Sequence, residues 1–120
     1  MRVHVLIFDD DILAFQNLCN ACNWPGWSFR RVENTPDLKI LGQEADLILI
    51  GEDFIMKQSP ITGAVVRSLM DNGSRIVPWG NGKDPRSFKK TEPTEIIDTL
   101  LATLEPDMTD MVKAKYSNAK

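Results

Sequence analysis

Apolar and polar residues alternate along this chain in blocks that predict strands and helices in turn. Val3 to Phe8 is a short apolar run that stops at three consecutive aspartates, and Ala45 to Ile50 is a second that stops at Gly51. Such runs are typical of strands covered on both faces, as in a parallel sheet. Weaker patterns predict three further strands, over Trp27 to Val32, Arg75 to Trp79 and Ser87 to Lys90.

Helical spacing of apolar residues fills most intervals between these strands. The predicted helices begin near Ile12, Thr35, Ser59 and Glu92. We expect one of the aspartates before Ile12 to cap the first helix and Thr35 to cap the second. No helical pattern precedes the fifth strand, so that helix is shortened or missing. The order implies an α/β fold with a doubly wound, parallel, five-stranded sheet.

Length and charge narrow the class of protein. The 120 residues suit one domain, assigned to residues 1–106, with a tail over residues 107–120 that is partly helical or disordered. The net charge of -3 disfavours nucleic-acid binding, which needs clustered cations. No apolar run approaches the roughly 20 residues of a membrane span. The expected protein is cytoplasmic, without a nucleic-acid or membrane partner.

Acidic residues follow both strong strands of the predicted sheet. Asp9 and Asp10 come after the first, and Glu52 and Asp53 come just after the third. Ligands of α/β folds lie at the carboxyl ends of the strands, where these acids should form one pocket. Asp9 and Asp10 could hold Mg²⁺ through their carboxylates. The alternative is a capped helix with a solvated acidic rim.

Three segments, in this order, resemble the receiver domain of bacterial response regulators, the CheY-like family. They are Val5 to Asp11, Ala45 to Gly51 and Lys89 to Ile97. The resemblance implies a flavodoxin-like fold and places Asp9 and Asp10 at magnesium-binding positions. It also implies a functional lysine at Lys89.

Several positions depart from the receiver pattern. Gly51 stands where a receiver carries its phosphoacceptor aspartate, and Gly80 stands at the position of the switch threonine or serine. Lys90 replaces the proline that usually follows the lysine. The resemblance therefore implies the fold of a receiver without its phosphorylation chemistry, in a protein that is not an enzyme and needs no cofactor.

Three functional hypotheses follow. The first is a signalling module of the two-component type that binds a protein partner, a second copy included, without phosphorylation. Its candidate contacts are Gly80 to Ser87 and Met108 to Tyr116. The second is a phosphoryl acceptor in which Asp53 replaces the missing carboxylate, with Mg²⁺, Asp10 and Lys89. The third, nucleotide or flavin binding, is disfavoured by acids where a phosphate loop would lie.

The remaining reactive residues favour structural roles. Cys19 and Cys22 form a Cys-x-x-Cys motif late in the first predicted helix, on its apolar face, and are expected to be buried and inert. His4, the only histidine, falls within the first strand. No pairing of a histidine with a nucleophile is apparent along the chain.

Overall fold

Five parallel strands form a single sheet in the computed structural model, which describes residues 2–81 and 86–103. The strands are β1 (Val3–Phe8), β2 (Trp27–Val32), β3 (Leu47–Gly51), β4 (Ile76–Gly80) and β5 (Phe88–Lys89). Their spatial order is β2-β1-β3-β4-β5. The predicted α/β class and parallel five-stranded sheet are confirmed, and β2 lies at an edge.

Helices cover both faces of the sheet. They are α1 (Ile12–Ala21), α2 (Thr35–Gly42), α3 (Glu52–Met56), α4 (Pro60–Asp71) and α5 (Ile96–Thr103), the last preceded by a 3₁₀ turn (Pro93–Glu95). One buried cluster joins α1 and α5 to the sheet through Leu18 and Leu100. A second joins α2, α3 and α4 through Leu38, Phe54 and Leu69. The sheet is therefore doubly wound.

The two central strands are apolar on both sides because each side packs against helices. Ile7 and Leu49 point to the cluster of α1 and α5, whereas Phe8 and Ile50 point to the cluster of α2, α3 and α4. Successive side chains of a strand face opposite ways, so over residues 5–8 and 47–50 neither face can carry a polar residue without burying it. This explains the apolar runs over those residues, whereas His4, near the start of β1, is exposed.

The helix caps differ in one case from the prediction. Asp11 caps α1 as expected, its side chain accepting a hydrogen bond from the backbone N–H of Ala14 at 3.0 Å. The cap of α2 is Asn34 rather than Thr35, because the Asn34 side chain accepts from the backbone N–H of Asp37 at 2.8 Å. The Thr35 hydroxyl instead hydrogen bonds with the Thr62 hydroxyl, which links α2 to α4.

Three apolar residues are exposed, although their helical spacing in the sequence predicts that they lie on the apolar faces of α1 and α4. Ile12, Ile61 and Met70 lie at helix ends and keep 53%, 70% and 53% of their surface accessible. The helix α3 was also not predicted, since residues 52–56 are too few to show a helical period. Phe54 stabilises it by packing edge to face on Phe8, with ring centroids 5.0 Å apart.

The connection between β4 and β5 spans residues 81–87, of which 82–85 lie outside the described part. Neither Asn81 nor the pair Arg86 and Ser87 is helical. This interval is shorter than a regular crossover with a helix requires, in line with the predicted shortening. Residues 104–120, which include the predicted tail over residues 107–120, also lie outside the described part. Among the residues that are described, no helix is long and apolar enough to cross a membrane.

Candidate functional site

The carboxyl ends of β1 and β3 lie side by side, as the sequence predicts. Phe8 is paired with Ile50 across the sheet, which brings the next residues, Asp9 and Gly51, to the same level. A Cβ atom added to Gly51 would lie 2.4 Å from Cγ of Asp9 and 2.4 Å from its Oδ2. The Asp9 carboxylate therefore occupies the space that a side chain at position 51 would need.

Asp9 is held in this place from several sides. It is buried, with 2% of its surface exposed. Its Oδ1 accepts hydrogen bonds from the backbone N–H groups of Asp10 at 2.8 Å and Asp11 at 3.3 Å. Its Oδ2 lies 2.7 Å from Nζ of Lys90. A buried carboxylate requires such compensation, because an unpaired charge in the interior is costly.

Lys90 supplies the positive charge of the pocket. Its Nζ lies 3.1 Å from Oδ2 of Asp11 as well as 2.7 Å from Asp9, and it stands 4.9 Å from the ring centroid of Trp79. Its backbone N–H donates to the carbonyl of Gly80 at 2.9 Å, which continues the sheet beyond β5. One ammonium group thus joins the end of β5 to the end of β1 over a buried aromatic ring.

The charges of this pocket shift the pKa values of two groups. Burial by itself lowers the pKa of Lys90, but hydrogen bonding and attraction to Asp9 and Asp11 outweigh it, so the pKa is raised. The pKa of Asp11 is lowered, chiefly by the hydrogen bond from the Ala14 N–H and further by Lys90. Both shifts favour the charged forms and so stabilise the ion pairs.

The lysine in the pocket is Lys90, one residue after the predicted Lys89. Phe88 is buried in the cluster of α1 and α5, and Lys89 is exposed. Because side chains alternate along a strand, Lys90 returns to the face of Phe88, where Asp9 and Asp11 lie. The expected countercharge for the acids is therefore present, but it comes from the neighbouring residue.

Glu52 covers the second glycine of the pocket. A Cβ atom added to Gly80 would lie 2.5 Å from Oε2 of Glu52. The Ser87 hydroxyl donates a hydrogen bond to Oε1 of the same carboxylate. Glu52 therefore fills the space that a side chain at position 80 would need, and it ties the start of α3 to the residue before β5.

The other two members of the predicted acidic pocket face the solvent. Asp10 is exposed, and so is Asp53 in the first turn of α3. The cluster expected of a displaced phosphoacceptor would join Asp53, Asp10 and Lys89, and all three side chains are exposed. The ion pairs at the strand ends instead involve Lys90, Asp9 and Asp11.

The donor set fits Mg²⁺ poorly. Across residues 2–81 and 86–103, no three acidic, cysteine or histidine side chains are grouped as metal ligands. Asp9 directs one carboxylate oxygen to backbone amides and the other to the Lys90 ammonium. Magnesium in proteins usually binds one or two carboxylates together with waters and phosphate, and here a lysine stands against the carboxylate.

The cysteines and the histidine lie away from this pocket. Cys22 is buried, and its thiol donates to the carbonyl of Pro93 at 3.2 Å. Burial raises the pKa of Cys22 to about 11, and burial also raises the pKa of the half-buried Cys19. The predicted burial is therefore confirmed for Cys22, whereas Cys19 is only half-buried; the raised pKa favours the protonated thiol in both. Nδ1 of His4 lies 2.6 Å from Oγ of Ser28, a cross-strand contact that the sequence did not reveal.

No protein-family model matches the chain, and comparison with curated proteins gives no significant match. The function is therefore inferred from the arrangement of residues at the strand ends.

The raised pKa of Lys90 predicts a loss of stability at alkaline pH. The ammonium contributes stability that is fully present below the unfolded-state pKa of about 10.4 and is lost as pH rises through the folded-state value. Urea unfolding of the wild type and of Lys90→Met, from pH 7 to about pH 11, isolates this contribution from other titrating groups. The difference in unfolding free energy should shrink at high pH, and a constant difference would count against the ion pair.

Proposed function

We propose that this chain is a divergent receiver-like signalling module with a flavodoxin-like fold, which acts by binding a protein partner independently of phosphorylation. The strand order β2-β1-β3-β4-β5 is the order that flavodoxin-like and receiver folds share. The observation that carries the proposal is the Asp9 carboxylate in the side-chain space of Gly51. In this proposal the place of a phosphoacceptor side chain is taken by the Asp9 carboxylate, which is already bound to two backbone amides and lies against Lys90.

The state of the pocket argues against phosphoryl transfer. A nucleophilic carboxylate must be accessible, and stabilisation of the phosphoryl oxygens requires an available cation. Asp9 is buried; Asp53 is exposed, but the Lys90 ammonium is engaged by Asp9 and Asp11 and is not an available cation. Gly80 offers no hydroxyl group, and Glu52 covers it. These contacts favour a module whose pocket does not change between a phosphorylated and an unphosphorylated state.

The proposed contact surface is the β4–β5 segment together with α3. The hydrogen bond from Ser87 to Glu52 fixes one end of this segment, and the strand residue Gly80 fixes the other. The described residues at its two ends therefore have fixed positions beside Glu52 and β4. Residues 82–85 and the second candidate contact, Met108 to Tyr116, lie outside the described residues. The proposed partner is a cytoplasmic protein, and the negative net charge agrees with a partner other than nucleic acid.

Incubation with acetyl phosphate and Mg²⁺ should leave the mass of the intact protein unchanged. Asp53→Asn is the matched variant, because it removes the exposed carboxylate closest in sequence to the phosphoacceptor position. An acid-labile mass increase that is present in the wild type and absent from Asp53→Asn would establish the displaced-acceptor hypothesis instead. A partner identified by affinity capture should bind the purified chain equally with and without acetyl phosphate, and phosphate-dependent binding would contradict the proposal.

A further inference from the structure

A cavity of about 410 Å³ lies beside the edge strand β2, away from the acidic pocket. Strands β1 and β2 line one part of it, and Leu41 of α2 and the residues just after α2 line another. Its size falls within the range of small-molecule pockets. Its walls combine apolar side chains with a few polar ones, which is the usual composition of a binding site.

Two opposite charges border this cavity without neutralising each other. Arg30 of β2 and Glu44, which follows α2, both line it. Neither side chain forms an ion pair or hydrogen bond with the other or with another residue of the described part. A ligand with a negative and a positive group can satisfy both charges at once.

Hydrogen bonds fix the relative positions of the segments that line the cavity. The backbone N–H of Asp46 donates to the carbonyl of His4 at 2.8 Å, and the His4 N–H donates to Oδ2 of Asp46 at 2.7 Å. This double contact fastens the segment that carries Glu44 to β1. Across the sheet, His4 is paired with Ser28, whose hydroxyl contacts its ring. Ser28 and Arg30 are two residues apart in β2, so they share one face.

We propose that this cavity binds a small zwitterion, namely a free α-amino acid with an apolar side chain. The Arg30 guanidinium takes the carboxylate, for which its forked donors are suited, and the Ser28 hydroxyl adds a donor on the same face. Glu44 takes the ammonium group, which the nearby carboxyl end of α2 also favours. The apolar side chain packs on Leu41. This inference is independent of the proposed signalling function.

Leucine, methionine and phenylalanine are the probes, titrated into ¹⁵N-labelled protein. At least one should cause saturable shifts of the Ser28, Arg30 and Ala45 amides. The N-acetyl and amide derivatives of that amino acid each lack one charge and should bind at least about tenfold more weakly, as expected for the loss of a charge-assisted hydrogen bond. Absence of saturable shifts with all three amino acids, or equal binding of the capped derivatives, would overturn the proposal.

Charge-removing variants provide the second arm of the test. Arg30→Gln and Glu44→Gln should each weaken binding at least about tenfold. Arg67→Gln and Asp71→Asn, exposed charges of α4, are the matched controls and should bind as the wild type does. All four side chains are exposed, so the variants should keep the fold. Equal affinity of Arg30→Gln and Arg67→Gln would show that Arg30 does not hold the ligand.

Discussion

Replacement of Gly51 by alanine is expected to lower the free energy of unfolding by about 2–3 kcal/mol, the cost of overpacking a filled interior site. The new methyl group would lie 2.4 Å from Cγ of Asp9. Asp9 cannot turn aside freely, because it is bound by two backbone amides and lies against Lys90. Urea denaturation followed by circular dichroism measures the loss. Gly51→Asp should be less stable still, since it adds a second carboxylate to the same space.

Two further variants separate this clash from a general effect of alanine. Gly63→Ala, at a helical position with open space around the added Cβ, should be neutral or stabilising by up to about 1 kcal/mol. In Asp9→Ala/Gly51→Ala the carboxylate is gone, so the second change should cost less than it does alone. Additive losses, within about 0.5 kcal/mol, would show that the two side-chain spaces do not overlap.

Replacement of Lys90 by methionine is expected to lower the free energy of unfolding by about 2–4 kcal/mol, somewhat less than for a fully buried pair, because 21% of the Lys90 side chain is accessible. Methionine retains an apolar chain near Trp79 but leaves the buried Asp9 carboxylate without its cation. Asp11 would also lose its charged neighbour. Urea denaturation at neutral pH measures the effect.

Lys89→Met is the matched control, because Lys89 is the adjacent lysine and is exposed. A surface substitution of this kind usually changes stability by no more than about 0.5 kcal/mol. We expect Lys90→Met to be clearly less stable than Lys89→Met. Equal losses would mean that Lys90 does not stabilise the buried Asp9 carboxylate.

The position of the pocket could be predicted from the sequence. Val3 to Phe8 and the run before Gly51 have no polar interruption at buried positions, which is possible only for strands covered on both faces. Once both runs are central parallel strands, their acidic ends must share one edge of the sheet. The adjacency of Asp9 and Gly51 follows from this topology alone.

The contacts inside the pocket could not be predicted from the sequence. Phe88 is followed by two lysines. The register of the strand decides which of them faces the acids, because a change of one residue turns each side chain to the opposite face. The register is fixed because Phe88 is buried in the core. Likewise, the sequence shows that position 51 has no side chain. Only the three-dimensional structure shows that the Asp9 carboxylate occupies the space a side chain there would need.

The cavity beside β2 also depends on contacts between distant parts of the chain. His4 meets Ser28 across two strands, and Glu44 is brought near them by the bonds between Asp46 and His4. None of these residues forms a recognisable motif in the sequence. Their shared location results from the pairing of β1 with β2 and from the position of α2.

A titration of Mg²⁺ into ¹⁵N-labelled protein shows whether the strand-end pocket, in which the Lys90 ammonium already lies against Asp9 and Asp11, also binds a divalent cation. The amides of Asp10, Asp11 and Glu52 report on the strand ends. They should show no saturable shift, in the presence or absence of acetyl phosphate. A saturable Mg²⁺-dependent shift that disappears in Asp10→Ala would contradict the account.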